Sequence, residues 1–228
     1  MNTTIKQPDG IELYTYFRSS AAYRVRIALY LKGLSFKSIP VQLLRDGGAQ
    51  HSADYVRLNA TQLVPTLVDG ALATGQSLAI IEYLDEVYGE PPLLPADPPG
   101  RARVRAMSQS IACEIHPLNN LRVLRYLEHE LKIEESARTK WYRHWITLGF
   151  TALESMLEES PYTGVFCHGN RPTMADCCLI PQIANARRFN TPLDAFPHIR
   201  RIETACLAMP AFERASPENQ PDSVERRP

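Results

Sequence analysis

The sequence has no net charge. Its 228 residues carry 25 Lys+Arg against 25 Asp+Glu. A neutral chain has no global field to hold nucleic acid or an acidic membrane surface, although local basic clusters can still take a small anion. Long apolar runs are also missing. No stretch approaches the roughly 20 residues that a membrane helix needs. The N-terminus, MNTTIKQPDG, is polar and lacks the apolar segment of a secretory signal. There is no CxxC. The five cysteines, Cys113, Cys167, Cys177, Cys178 and Cys206, are odd in number and two are adjacent. That pattern excludes a disulfide framework and a zinc site. A reducing cytosol fits, with the thiols expected to be buried and inert. Internal repeats and low-complexity segments are absent.

One further lack is local. Residues 17–33, FRSSAAYRVRIALYLKG, contain no Cys, His, Asp or Glu. Two serines lead into a helical run, and two arginines interrupt its apolar residues. The stretch has no evident nucleophile, acid or metal ligand of its own.

The chain changes character near residue 90. Between Pro91 and Pro99 there are five prolines, followed by Gly100, which neither a helix nor a central strand can accommodate. Residues 91–100 therefore read as an interdomain linker. Before it, residues 11–90 read β-α-β-α-β-β-α. The strands are expected at 11–17, 34–42 and in a hairpin over 64–75, the helices at 21–32 and 77–89, with a short helix between. The two strands separated by a helix should be parallel, and the hairpin antiparallel. This is an α/β thioredoxin-like order. After the linker only helical patterns appear, at 101–131 with a kink at Pro117, at 136–159, at 173–189 and at 197–208. The 173–189 helix opens with Thr173-x-x-Asp176, a capping-box-like start. Residues 101–215 form an all-α domain, and 216–228 read as a loose polar tail.

Five stretches have the residue types for chemistry, each with a plain structural alternative. Arg18-Ser19-Ser20 precede a helix, whose unpaired N–H groups and partial positive charge suit an anion; an ordinary serine cap is the alternative. Val64-Pro65 opens a strand, where a cis bond would free Val64's main chain to pair with an extended peptide; a trans edge proline is the alternative. Gln76-Ser77 starts another helix and can hold a carboxylate, or merely cap it. His116 to Arg122 cluster His, two amides and Arg around Pro117, either lining a cleft or forming a solvated face. Arg187-Arg188 are adjacent, so they point to different sides of a helix and at most one faces any given cleft. No usable second ligand accompanies His116, so no metal site is expected.

FRSSAAYRVRIAL, LVPTLVDG, QSLAIIEYLDE, HPLNNLRVL and TMADCCLIPQIANARRF together resemble the zeta class of glutathione transferases, the class of the maleylacetoacetate isomerases and the bacterial maleylpyruvate isomerases. The resemblance covers residues 11–221. It implies a glutathione transferase fold: a thioredoxin-like domain that binds glutathione, and a helical domain that completes the acceptor site. It also implies a cytosolic homodimer. Residue by residue, it makes Ser19 the hydrogen-bond donor to the glutathione sulfur, with Ser20 close by. Val64, before a cis-Pro65, pairs with the glutathione backbone, Gln76 and Ser77 hold its γ-glutamyl end, and Gln50, His116 and Asn120 match binding positions. Arg188 matches an arginine for the acceptor's carboxylate, with Arg18 and Arg122 as further candidates. Two positions depart from the class, where Ala21 replaces a frequent Cys and Tyr23 replaces the usual Trp. Arg122 and His116 are more like the maleylpyruvate branch.

The activity implied is cis–trans isomerisation of a cis-enedioyl dicarboxylic acid by reversible addition of the glutathione thiolate. A conjugating transferase or dehalogenase, and a non-enzymatic binding module, are the rival readings. A thiol pKa of about 8.5 must fall to about 7 for this chemistry, which requires roughly 2 kcal/mol. A helix start gives about 0.3–1 kcal/mol, and a hydrogen bond to a charged acceptor about 1.5–3 kcal/mol. A serine at a helix start is therefore sufficient, without a cysteine.

Overall fold

The computed structural model describes residues 10–226. Residues 1–9 of the N-terminal stretch read above for a signal, and the last two of the expected tail, lie outside them. The chain divides into two compact units. One takes the chain up to Leu94 and again from Leu207; the other is Pro95–Cys206.

The first unit contains β1 (Ile11–Thr15), α1 (Ser20–Leu31), β2 (Phe36–Pro40), α2 (Ala53–Leu58), β3 (Thr66–Asp69), β4 (Leu72–Gly75) and α3 (Ser77–Tyr88). The sheet order is β2-β1-β3-β4. β1 and β2 are parallel, joined by α1, while β3 is antiparallel to both β1 and β4. Alternation in β1 buries Ile11, Leu13 and Thr15, the period expected of a strand with one face in the core. α1 ends before Gly33, whose φ of +65° is the left-handed helix terminus that glycine adopts without strain. The Asp69 carboxylate accepts from the hydroxyls of Tyr83 (2.7 Å) and Tyr88 (2.5 Å). It fastens α3 to the hairpin.

The second unit is helical: α4 (Pro98–Gln109), α5 (Leu121–His129), α6 (Glu135–Glu158), α7 (Met174–Arg188) and α8 (Pro197–Leu207). α4 starts inside the proline-rich stretch. Asp97 caps it by accepting from Gly100 N–H at 2.7 Å, and the prolines occupy its first turn, where a missing N–H costs nothing. Leu93 and Leu94 within that stretch are buried. The single kinked helix expected over 101–131 is a correction. α4 gives way to a π-helical turn at Ser110–Ile115 and then a 3-10 turn at Pro117–Asn119. Asn120 leaves helical backbone altogether (φ −65°, ψ 147°) and caps α5 by accepting from Arg122 N–H at 3.1 Å. Pro117 has no N–H to return to the preceding turn, so the helix breaks there and restarts.

α9 (Pro210–Ala215) packs on α1. In the expected loose tail, 3-10 segments form at Pro217–Asn219 and Pro221–Arg226. Phe212 and Ala215 are fully buried, and Tyr23 donates its hydroxyl to Phe212 C=O at 3.3 Å. α1 therefore buries a second face that the sheet does not cover. Four cysteines are buried as expected, but Cys113 is exposed. Burial pushes the Cys167 and Cys206 thiols up.

The capping box of α7 forms as its sequence implies. The fully buried Asp176 accepts from Thr173 N–H (2.7 Å), Thr173 Oγ1 (2.9 Å) and Cys167 N–H (2.9 Å). Burial raises its pKa, and these bonds oppose the rise. Asp176→Ala leaves two buried N–H groups without acceptors, each costing about 1–3 kcal/mol. The urea midpoint of the helical unit should fall accordingly; an unchanged midpoint would show that the box contributes nothing.

Candidate functional site

Three segments leave the sheet at one edge. Tyr14 pairs with Thr66, and Thr66 with Gly75. Just beyond that row lie the turn after Thr15, the Val64-Pro65 entry to β3, and Gln76-Ser77 after β4. The Val64–Pro65 bond is cis. The end of β2 joins the same edge, where Val41 N–H donates to Thr15 C=O at 2.7 Å. The segment carrying Gln50 is tied to it by Ala49 N–H to Gln42 C=O, also 2.7 Å. The candidates of the first unit thus converge by topology, although they are spread from residue 18 to residue 77.

Ser19 is the N-cap of α1. Its Oγ accepts from Ala22 N–H at 3.2 Å. A hydroxyl has two lone pairs and one proton, so Ser19 can cap the helix and still donate outward. Ser20 is the buried first residue of α1, and Arg18 is half-buried with its guanidinium 5.9 Å from the centroid of the Phe17 ring.

Gln76 sits at φ +63°, ψ 107°, a region non-glycine residues seldom occupy. It stands at the N-cap of α3 yet makes no capping bond with its side chain, which is exposed. Ser77 is buried, and its Oγ accepts from the buried Arg24 Nη1 at 3.1 Å. A cation thus lies directly behind a helix start, and both favour an anion in front of it. Arg24 is one of the two arginines whose role the sequence left open. Its signal was a cation inside an apolar helical run.

Gln50 is buried, with Nε2 2.9 Å from His51 Nε2 and with Oε1 lacking a hydrogen-bond partner among the described residues. His51 Nδ1 is in turn 2.6 Å from Gln62 Oε1. With Gln50 as donor, His51 accepts at Nε2 and donates from Nδ1. Gly48 makes this possible: at φ +95°, a Cβ there would stand 2.5 Å from the Gln50 amide.

In the second unit, His116 closes the π-helical turn and Asn120 spends its side-chain oxygen capping α5. Arg122 and Arg188 are exposed, Arg188 being the last residue of α7. The adjacent arginines separate as expected. Arg187 makes a two-point bond to Glu203, at 2.7 and 2.5 Å. Arg188 instead lies with its guanidinium 5.0 Å from the Phe189 ring centroid. The buried Tyr142 of α6 stacks on that ring (centroids 3.6 Å apart). Burial pushes the Tyr142 phenol up, and Arg188 pulls it down. Tyr142 C=O also accepts from Asn119 Nδ2 at 3.1 Å. One tyrosine therefore links Phe189, the residue after Arg188, to the 117–119 turn. Its one distinction in the sequence is its place between Trp141 and Trp145.

Residues 13–92 match the family model for the glutathione S-transferase N-terminal domain. The chain belongs to the glutathione transferases, in their zeta class. It is 46% identical to maleylacetoacetate isomerase from Pseudomonas aeruginosa, over 93% of this chain and 99% of that protein. Among solved structures it is similar to the holo form of a bacterial zeta-class maleylpyruvate isomerase (TM-score 0.90, 44% identity, 92% of this chain and 99% of that one). It is also similar to maleylacetoacetate isomerase from Methylobacterium extorquens with bound malonate and GSH (TM-score 0.89, 38% identity, 92% and 98%). No helix among the described residues is long and apolar enough to cross a membrane.

Gly48→Ala tests the Gln50 segment. The left-handed backbone and the close approach together should cost about 1–3 kcal/mol. The predicted readout is faster amide exchange confined to the segment around Gln50; exchange equal to wild type would remove the requirement for glycine.

Proposed function

We propose that this chain is a glutathione-dependent cis–trans isomerase of a cis-enedioyl dicarboxylic acid, converting maleylacetoacetate to fumarylacetoacetate. The observation that carries the reading is Ser19, a helix cap with a hydroxyl proton to spare, at the sheet edge that Val64-Pro65 and Gln76-Ser77 share. The residues fit the tripeptide. Gln50 carries a buried amide oxygen without a hydrogen-bond partner among the described residues, Gln76 has a side chain its own helix does not use, and Ser77 has a cation behind it.

When bound, glutathione supplies the thiolate that adds to the conjugated double bond and leaves after rotation. The chain's own part is to favour that anion and to hold the acid. Ser19 donates to the sulfur while the first N–H groups of α1 present positive charge, with Ser20 beside it. Val64 pairs with the peptide main chain, before Pro65. Gln76 and Ser77 receive the γ-glutamyl carboxylate, and Gln50, His116 and Asn120 complete the binding set. Arg188, with Arg18 and Arg122, orients the acid's carboxylates and stabilises charge developing on them. Tyr142 supports the end of α7 at Arg188 through its stack on Phe189. The reading includes a cytosolic homodimer. The domain reading is a thioredoxin-like glutathione-binding domain followed by a helical substrate domain.

Maleylpyruvate is the second candidate substrate. His116 and Arg122 favour it, as does the similarity to a maleylpyruvate isomerase. Kinetics with both acids side by side decide between them.

Ser19→Ala removes a hydrogen bond to a charged acceptor, about 1.5–3 kcal/mol. Turnover at neutral pH should fall about 10- to 100-fold. Arg188→Ala should lower kcat/KM for the acid by a similar factor, with glutathione KM retained. Tyr142→Leu removes the stack on Phe189 beside Arg188 and should raise the acid's KM, with glutathione KM retained. Absorbance assays of isomerisation check all three. Unchanged turnover in Ser19→Ala would remove the thiolate argument.

A further inference from the structure

We propose that Arg26 and Asp222 form a clamp that positions the Ser19 turn, making the C-terminal segment a positioning element for ionisation of the bound thiol. The inference rests on the Ser19 role proposed above.

The turn between β1 and α1 is held from two sides. Tyr16 C=O accepts from Ser19 N–H at 2.9 Å and from Arg26 Nη1 at 3.4 Å. Phe17 C=O accepts from Arg26 Nη2 at 3.0 Å. Phe17 N–H donates to Asp222 Oδ2 at 2.9 Å, across 205 positions of sequence. Arg26 is fully buried, and its other donors reach Thr15 Oγ1 and Ala215 C=O, each at 2.9 Å. Burial pulls the guanidinium down to about 10, and the Asp222 charge is the largest influence opposing that. It stays charged at neutral pH.

The segment that delivers Asp222 is itself anchored. The buried Gln220 donates its amide to Arg214 C=O (2.9 Å) and Ser216 C=O (2.8 Å). Ser223 N–H donates to Gln220 C=O at 3.0 Å. The carboxylate thus arrives on a short, internally bonded strap rather than a free end.

The function follows from where the clamp grips. It fixes the peptide groups immediately before Ser19, not the residues proposed to bind the rest of the tripeptide. A hydrogen bond to a developing charge weakens steeply when its angle is lost, and small misplacements cost rate more than binding. Loosening the turn should raise the pKa of the bound thiol and lower kcat, while glutathione KM, set by Val64, Gln76 and Ser77, changes little. A merely structural role would lower the unfolding midpoint without moving the thiol.

The experiment compares wild type, Asp222→Ala, Thr15→Val and Ser19→Ala as full chains. The ultraviolet absorbance of the bound glutathione thiolate is followed against pH, beside kcat and KM. Asp222→Ala is expected to raise the thiol pKa by about one unit, hence about tenfold less thiolate well below that pKa. Thr15→Val keeps the strand's shape, removes one Arg26 acceptor, and should shift in the same direction by less. If Asp222→Ala does not fold, Thr15→Val decides. Wild-type titrations in the folded variants, with Ser19→Ala shifted, overturn the clamp alone. An unshifted Ser19→Ala overturns the serine reading instead.

Discussion

The buried guanidinium of Arg26 is the constraint on which the first unit depends. Removing a cation from water costs several kcal/mol unless its donors are matched. Here they are matched by the end of β1, by the turn before α1 and by the last residue of α9. Each segment therefore has its place fixed by a charge that cannot be left unpaired. Lysine could not substitute, because a point charge lacks the planar fork that reaches three segments at once. The return of the chain to its first unit after residue 207 follows from this. Without Ala215 C=O and the nearby Asp222, α1 would carry a cation with nothing on one side.

The second arginine of the same helix has a different task. Two residues along a helix rotate about 200°, so Arg24 and Arg26 face different neighbours. Arg24 reaches the hydroxyl of Ser77 at the start of α3. α1 thus serves both ends of the proposed tripeptide site. Its own start offers Ser19, and its interior cation supports the other helix start. A chain with zero net charge can in this way place concentrated positive potential where an anion is needed, since local geometry rather than the sum of charges sets the field.

What was legible in the sequence was local. The strand near residues 11–17, the helix at 21–32, the hairpin over 64–75 and the Thr173/Asp176 box each depend on residues a few positions apart, and each formed. Serines before a helix and Gln-Ser before another were legible for the same reason. The misses depend on distance. Pro117 could kink or break a helix, and Asn120, as a competing cap, decided for a break. The tail looked loose because the partner of its Asp222, Phe17 N–H, lies 205 positions away. Arg26 stood out as a cation in an apolar run but without a role, and Tyr142 not at all, because burial and stacking are conferred by segments their neighbours do not reveal. The arrangement of Arg188 beside Tyr142 and Phe189 is of that kind.

The turn that lacks a reactive group of its own can now be understood physically. A borrowed nucleophile relieves the protein of providing one, but transfers the demand from side-chain chemistry to backbone placement. Ala21 and Ala22 satisfy it: Ala22 contributes its N–H to Ser19, and neither position needs a side-chain function. Placement is then the quantity to be secured, and a four-residue turn cannot secure it alone, because ordering each residue costs about 1–2 kcal/mol of backbone entropy. The groups that hold it lie in α1 and at the far end of the chain. The residues nearest the proposed chemistry are consequently the plainest, and the charged ones that fix their geometry are buried behind them.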